Sequence, residues 1–168
     1  EHLFTASTHD YLLFFTNNGR VYVVKVYEVP EMGRATRGKS IANLLELKTE
    51  EKIAALIRVS GRGDEVWSEK LHLIMATRSG IVKKTNLSEY KNHRKGGIIG
   101  IQIEPGDRLI DAKLTGGNDE IVLVTKEGMS IRFSETELRD QGRNTVGVWG
   151  IRLNKTDEVV ALSVVDLN

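Results

Sequence analysis

Leu12-Leu13-Phe14-Phe15-Thr16-Asn17-Asn18-Gly19-Arg20-Val21 is an apolar run, a threonine, two polar residues, a glycine and the start of a second run rich in β-branched residues. Glycine supplies the positive φ of a tight turn and the flanking residues favour extended backbone, so the stretch predicts a β-hairpin. The same order returns at Leu73-Ile74-Met75-Ala76-Thr77-Arg78-Ser79-Gly80-Ile81-Val82 and at Val122-Leu123-Val124-Thr125-Lys126-Glu127-Gly128-Met129-Ser130-Ile131. Three hairpins of one design indicate an internal repeat.

Two further elements recur with each hairpin. Gly38-Lys39-Ser40-Ile41-Ala42-Asn43-Leu44 corresponds to Gly97-Ile98-Ile99-Gly100-Ile101-Gln102-Ile103 and to Gly147-Val148-Trp149-Gly150-Ile151-Arg152-Leu153, at 22, 20 and 22 residues after the threonine. A closing element follows at Glu51 to Leu56, Asp107 to Ala112 and Asp157 to Leu162. The fold class expected is all-β: a propeller-like array of about three four-stranded repeat units, over residues 3–59, 71–114 and 119–167, with both an open or truncated array and a closed disc compatible with the sequence. The whole of 1–168 is read as one repeat domain. The connectors are polar, Ser60 to Glu65 reads as a mobile loop, and Leu44 to Lys52 and Glu135 to Asp140 read as helical turns. Only Leu3 to Thr8 precede the first hairpin, and Val159 to Leu167 reads as a strand waiting for a neighbour, so the chain is expected to be part of a larger array or an arc closed by strand exchange.

Composition narrows the function. No run of about 18 apolar residues is present and the N-terminus lacks a signal-peptide layout, so a soluble, intracellular domain with no membrane partner is expected. There are no cysteines, which excludes disulfides, thiolate metal sites and a cysteine nucleophile. His2, His9, His72 and His93 show no metal-ligand spacing and read as solvated. Arg37-Gly38-Lys39-Ser40 is like the end of a phosphate-binding loop, but Gly33 is wrongly spaced and the apolar Ile41 to Leu47 reads as strand where such a loop needs a helix. No carboxylate pair or nucleophile elbow stands out. The chain by itself is not expected to be an enzyme, and no cofactor is expected in it.

What remains is positive charge tied to the repeat. The net charge is only +1, but its distribution is uneven. Arg34, Arg37 and Lys39 of the first unit match Arg94 and Lys95 of the second and Arg143 of the third. Lys25, Lys83, Lys84 and Arg132 lie on the strand after each hairpin, and Arg20 and Arg78 lie at its turn. Cations beside glycine turns suit contact with a phosphate backbone. In a radial array, equivalent positions would form one curved positive track for double-stranded DNA. Trp67 and Trp149 read as core residues, which argues against single strands stacked on aromatic platforms.

Phe14 to Tyr22, Tyr27-Glu28-Val29-Pro30-Glu31 and Arg37 to Leu45 are similar to the C-terminal DNA-wrapping domain of the DNA gyrase A subunit, and the repeat extends the resemblance over nearly the whole chain. The resemblance implies a β-pinwheel whose blades exchange strands and whose positive perimeter wraps duplex DNA without sequence preference. It implies a cytoplasmic, nucleoid-associated bacterial protein, with the rest of the gyrase A subunit and the gyrase B subunit as partners in a heterotetramer that supercoils DNA negatively. ATP and Mg would serve only that parent complex. The family's Gln-Arg-Arg-Gly-Gly-x-Gly motif is absent; its nearest echo is His93-Arg94-Lys95-Gly96-Gly97-Ile98. The motif is expected upstream, because the first unit starts midway. The competing reading is a propeller that serves as a protein-interaction platform.

Overall fold

Each Thr-x-x-Gly segment closes a hairpin in the same way. The amide of Gly19 donates to the Thr16 carbonyl, that of Gly80 to Thr77 and that of Gly128 to Thr125, at 3.0 to 3.1 Å. The threonine hydroxyl then accepts the amide one residue beyond the glycine, from Arg20, Ile81 and Met129. The three glycines have φ of +85°, +93° and +86°, a region that side chains with a Cβ avoid. The threonine satisfies a backbone amide and the glycine turns the chain, so the motif specifies the hairpin locally.

The computed structural model describes residues 3–166. Its strands are β1 (Tyr11–Thr16), β2 (Arg20–Lys25), β3 (Ile53–Val59), β4 (His72–Thr77), β5 (Ile81–Asn86), β6 (Ile98–Ile99), β7 (Leu109–Thr115), β8 (Glu120–Thr125), β9 (Ser130–Ser134), β10 (Val148–Trp149) and β11 (Val159–Val165). They form three antiparallel sheets in the orders β3-β1-β2-β6, β10-β5-β4-β7 and β11-β8-β9. The fold is the all-β pinwheel expected, with one change in the assignment of strands. The first two sheets each take their fourth strand from the unit that follows: β6 pairs with β2 through Arg20 opposite Ile99, and β10 pairs with β5 through Val82 opposite Val148. The third sheet has three strands among the described residues.

The exchange is sealed at the hairpin glycines. The Gly19 carbonyl accepts the amides of Gly100 and Ile101, and the Gly80 carbonyl accepts those of Gly150 and Ile151. A Cβ at Gly19 would lie 2.2 Å from the Ile101 carbonyl oxygen, and one at Gly80 would lie 2.7 Å from that of Ile151. A Cβ at Gly128 would meet nothing within 4 Å among the described residues. Among the described residues no exchanged fourth strand lies beside β9. The C-terminal strand β11, expected to await a neighbour, pairs with β8 over Val159 to Val165. Leu167, which was expected in that strand, lies outside the described residues, as does His2.

The closing strands face one another, β7 packing against β3 on one side and β11 on the other. Leu13, Phe15, Ile57, Leu73, Met75 and Leu109 belong to the core cluster that joins the first two units, and Ile74, Val82, Leu123 and Leu162 to the one that joins the second and third. Burial of such side chains contributes roughly 1.5–3 kcal/mol each. Since β3, β7 and β11 are the inner edges of their sheets, the exchanged strands β6 and β10 lie at the outer edges.

Three local expectations change. Ile41 to Leu47 is no strand; Ile41–Asn43 forms a 3₁₀ turn capped by the Ser40 hydroxyl, and the segment joins none of the three sheets. The helical turn expected over Leu44 to Lys52 falls there instead, whereas the one expected from Glu135 is present as Glu135–Glu137. Ser60 to Glu65 leads into a 3₁₀ turn, Gly63–Val66, that buries Val66, so the expected mobile loop is anchored at its end.

Candidate nucleic-acid interface

The cationic residues fall into three groups once the sheets assemble. Arg34, Arg37 and Lys39 are exposed on the connector after β2, and Arg94 and Lys95 are exposed on the turn before β6. None of these five takes part in an ion pair found among the described residues. Arg132 is exposed on β9 but sits 3.5 Å from Glu120. Lys25 is half-buried, its ammonium 5.3 Å from the Tyr11 ring centre and 5.6 Å from that of Tyr27.

A second group holds the units together. The Arg20 guanidinium contacts Glu51 at 3.3 Å and donates to the carbonyls of Gly96 and Gly97 in the next unit. Glu51 is itself fixed by the Tyr22 hydroxyl and the Lys48 amide. Burial foremost, then the bond to Glu51, raises the Tyr22 pKa, so the phenol stays a donor. Arg78 plays a similar part between the second and third units, lying 3.9 Å from Glu158 and donating to the Gly106 carbonyl.

Lys83 and Lys84, expected on the positive track, are inside the protein at 1% and 7% exposure. The reason is the exchange itself: the third unit's strand and connector cover β5. Lys84 contacts Glu135 at 3.6 Å. The Glu135 carboxylate also accepts from Thr115 and from the amides of Gly117 and Asp119, so this pair is fully engaged. The Lys83 ammonium is bound to the carbonyls of Gly142, Arg143 and Thr145.

One place brings several cations together. Arg20, Arg94 and Arg143 line an open cleft of about 520 Å³ beside β6, with Asn92, Asn144 and Glu89. Arg94 comes from the turn that precedes β6. Arg143 reaches across from the third unit and donates to the Ile99 carbonyl at 3.0 Å. The cleft thus combines two junctions at the outer edge: guanidiniums from three units, two neutral amides and a single carboxylate. That set suits a phosphodiester, which planar guanidinium groups bind with paired donors.

Recurrence in the sequence singles out Arg94 and Arg143. Asn92, Asn144 and Glu89 carry no such signal, because they are contributed by connectors whose lengths differ between units. Arg152 and Lys155, exposed beside Trp149, also escape the repeat pattern. Trp149 itself is 66% exposed, which overturns its assignment to the core: it occupies the outer strand β10, next to β9. Trp67 is buried as expected. Among the described residues no group of three or more His, Asp or Glu could hold a metal ion, and no helix is long and apolar enough to cross a membrane. His72 is not simply solvated; its Nε2 lies 3.3 Å from Asp140.

Three segments of the chain, residues 10–60, 71–115 and 119–166, match the family model described as DNA gyrase C-terminal domain, beta-propeller, one match for each repeat unit. The chain belongs to this family. The DNA gyrase A subunit of Mycolicibacterium smegmatis is 45% identical over 166 residues, and that of Haloquadratum walsbyi is 46% identical over 164. Each alignment covers 98% of this chain and 19% of the relative, so the chain spans about a fifth of the gyrase polypeptides it matches. The crystal structure of the C-terminal domain of DNA topoisomerase IV superposes with a TM-score of 0.84 at 32% identity, over 95% of this chain and 48% of that one. The structure of the DNA gyrase A C-terminal domain superposes at 0.77 with 24% identity, over 97% and 50%, and there the likeness is one of fold. The three-sheet arc of this gyrase-family chain thus corresponds to about half of each of those solved domains.

Proposed function

We propose that this gyrase-family chain binds duplex DNA through its phosphate backbone along the outer edge of the three sheets, without sequence preference, and bends it around the arc. The observation that carries this reading is the cleft in which Arg94 and Arg143, from different units, face the same space beside Arg20. Arg34, Arg37, Lys39 and Lys95 extend the positive edge, while Lys83, Lys84, Arg20 and Arg78 act as its supports. In the parent protein the domain would present a wrapped segment to a type IIA topoisomerase that supercoils DNA negatively. Strand cutting, ATP and Mg²⁺ belong to the rest of the gyrase A subunit and to the gyrase B subunit, and the complex works in the cytoplasm.

Affinity for a duplex of about 40 base pairs, measured against salt, tests the reading, because each neutralised phosphate adds roughly −0.9 to the slope of log K against log salt. A slope of about −4 or steeper, the same for unrelated sequences, is expected. Arg94→Glu together with Arg143→Glu should weaken all sequences alike and flatten the slope by about 2. An absence of duplex binding would favour a protein-interaction platform instead.

A further inference from the structure

Lys83 is the least expected of the buried cations. An ammonium has three donors and no acceptor, and burying one is costly unless every donor is used. Its three partners are the carbonyls of Gly142 at 2.9 Å, Arg143 at 2.6 Å and Thr145 at 3.4 Å. All three belong to the short connector that leads into the exchanged strand β10. Tyr22 holds the equivalent place in the first unit. Its ring lies against Gly97, and a Cβ there would come within 3.0 Å of it, but its hydroxyl turns to Glu46 and Glu51. At that junction the crossing turn is held by Arg20 instead. At the next junction Ile81 stands where Arg20 would be, so the grip passes to Lys83.

The connector that Lys83 holds also carries Arg143 and Asn144 into the cleft. Gln102 provides a second grip: its amide donates to the Thr145 carbonyl and its side chain to Asn144, both at 2.9 Å. We propose that Lys83 is a positioning residue for DNA binding, holding the Gly142 to Thr145 connector so that Arg143 is presented to a phosphate in the cleft without Lys83 touching DNA. This rests on the duplex-binding reading above.

The proposal has a signature that simple structural support lacks. Burial foremost, then the neighbouring Arg143 charge, lowers the Lys83 pKa to about 7, with Glu89 opposing. Arg20 and Arg94 face the same cleft from the other units, and the buried Tyr90 hydroxyl, held neutral by its raised pKa, adds no charge. A phosphate arriving at Arg143 offsets the positive charge around Lys83 and favours the ammonium. Binding should therefore take up a proton, and affinity should fall as pH rises through 7.

The test is duplex affinity between pH 6 and 9 at fixed salt for the 168-residue chain and for K83M, K83R, R143A and K83M/R143A. Wild type should weaken roughly fivefold or more across the range. K83R, charged throughout, should bind tightly with no such fall. K83M should bind weakly at every pH, and K83M/R143A should be no weaker than R143A, because Lys83 acts through Arg143. In the unbound protein, amides from Arg143 to Val146 should exchange faster in K83M than in wild type. Duplex binding by K83M equal to wild type, a pH profile retained in K83R, or fully additive losses in the double variant would overturn the positioning role while leaving DNA binding intact. Failure of wild type to bind duplex would overturn the DNA-binding reading itself. Should K83M not fold, the pH profile of K83R decides alone.

Discussion

Arg20 Nε lies 3.3 Å from Glu51 Oε1, and the carboxylate side chain is fully buried. The contact is ionic without an aligned hydrogen bond between these two atoms; the donors that hold Glu51 in place come from Tyr22 and Lys48. A residue that belongs by charge to a DNA-contacting set is thereby turned into a clamp on the next unit's backbone. Removing one member of such a pair leaves the other charge uncompensated, which costs about 3 kcal/mol. Glu51→Ala should lower the urea midpoint accordingly, and a variant as stable as wild type would show that the pair is solvated.

The hairpin glycines should differ in their tolerance of a side chain. Gly128→Ala meets no neighbour among the described residues and bears only the left-handed backbone cost of about 1 kcal/mol. Gly19→Ala adds a clash with the Ile101 carbonyl and should cost at least about 3 kcal/mol, since strand exchange must shift to relieve it. Thermal denaturation of the two variants side by side compares them directly; equal losses would mean that β6 does not seal against Gly19.

The two tryptophans should behave oppositely. Trp67 packs 5.1 Å from the Tyr11 ring and 5.6 Å from that of His93, so Trp67→Ala should destabilise by about 3 kcal/mol or more. Trp149→Ala should stay within about 0.5 kcal/mol of wild type. In a Trp67→Phe background the remaining fluorescence should be readily quenched by acrylamide, and a shielded signal would contradict the exposure of β10.

Stability should rise with pH through the window that Lys83 sets. The ordinary lysine value is 10.5 and the folded value is about 7, so between them the unfolded chain holds the extra proton. The slope of stability is then positive: the contribution is absent below about 7 and grows as pH approaches 10.5. Urea unfolding from about pH 6.5 to 9 should show this rise in wild type and not in Lys83→Met, the difference between the two removing the other titrating groups. The sign is the same as that of proton release on folding and opposite to that of DNA affinity, because folding removes the ammonium from water whereas a bound phosphate stabilises it.

The hairpins were legible because their determinants are local. Thr16, Gly19 and their counterparts make bonds within four residues, so any chain with that order closes the same turn, and its recurrence reveals the array. Arg94 and Arg143 were legible for the same reason, as repeated cations beside glycine turns. Lys83 and Lys84 were not. They occupy β5, in a position that sequence alone places on the strand surface, and Lys83 is covered by a connector that begins 59 residues later in the chain. Nor could the pattern assign Trp149: an isolated aromatic in a β-branched run reads as core unless the outermost place of its strand is known.

The sequence by itself determined that this is an all-β repeat with three hairpins and basic turns, because periodicity and turn chemistry are properties of short segments. Only the tertiary structure decided which unit completes each sheet and which cations face outward. Those outcomes depend on backbone pairing between residues as far apart as Arg20 and Ile99, and a two-residue strand carries no side-chain pattern that names its partner.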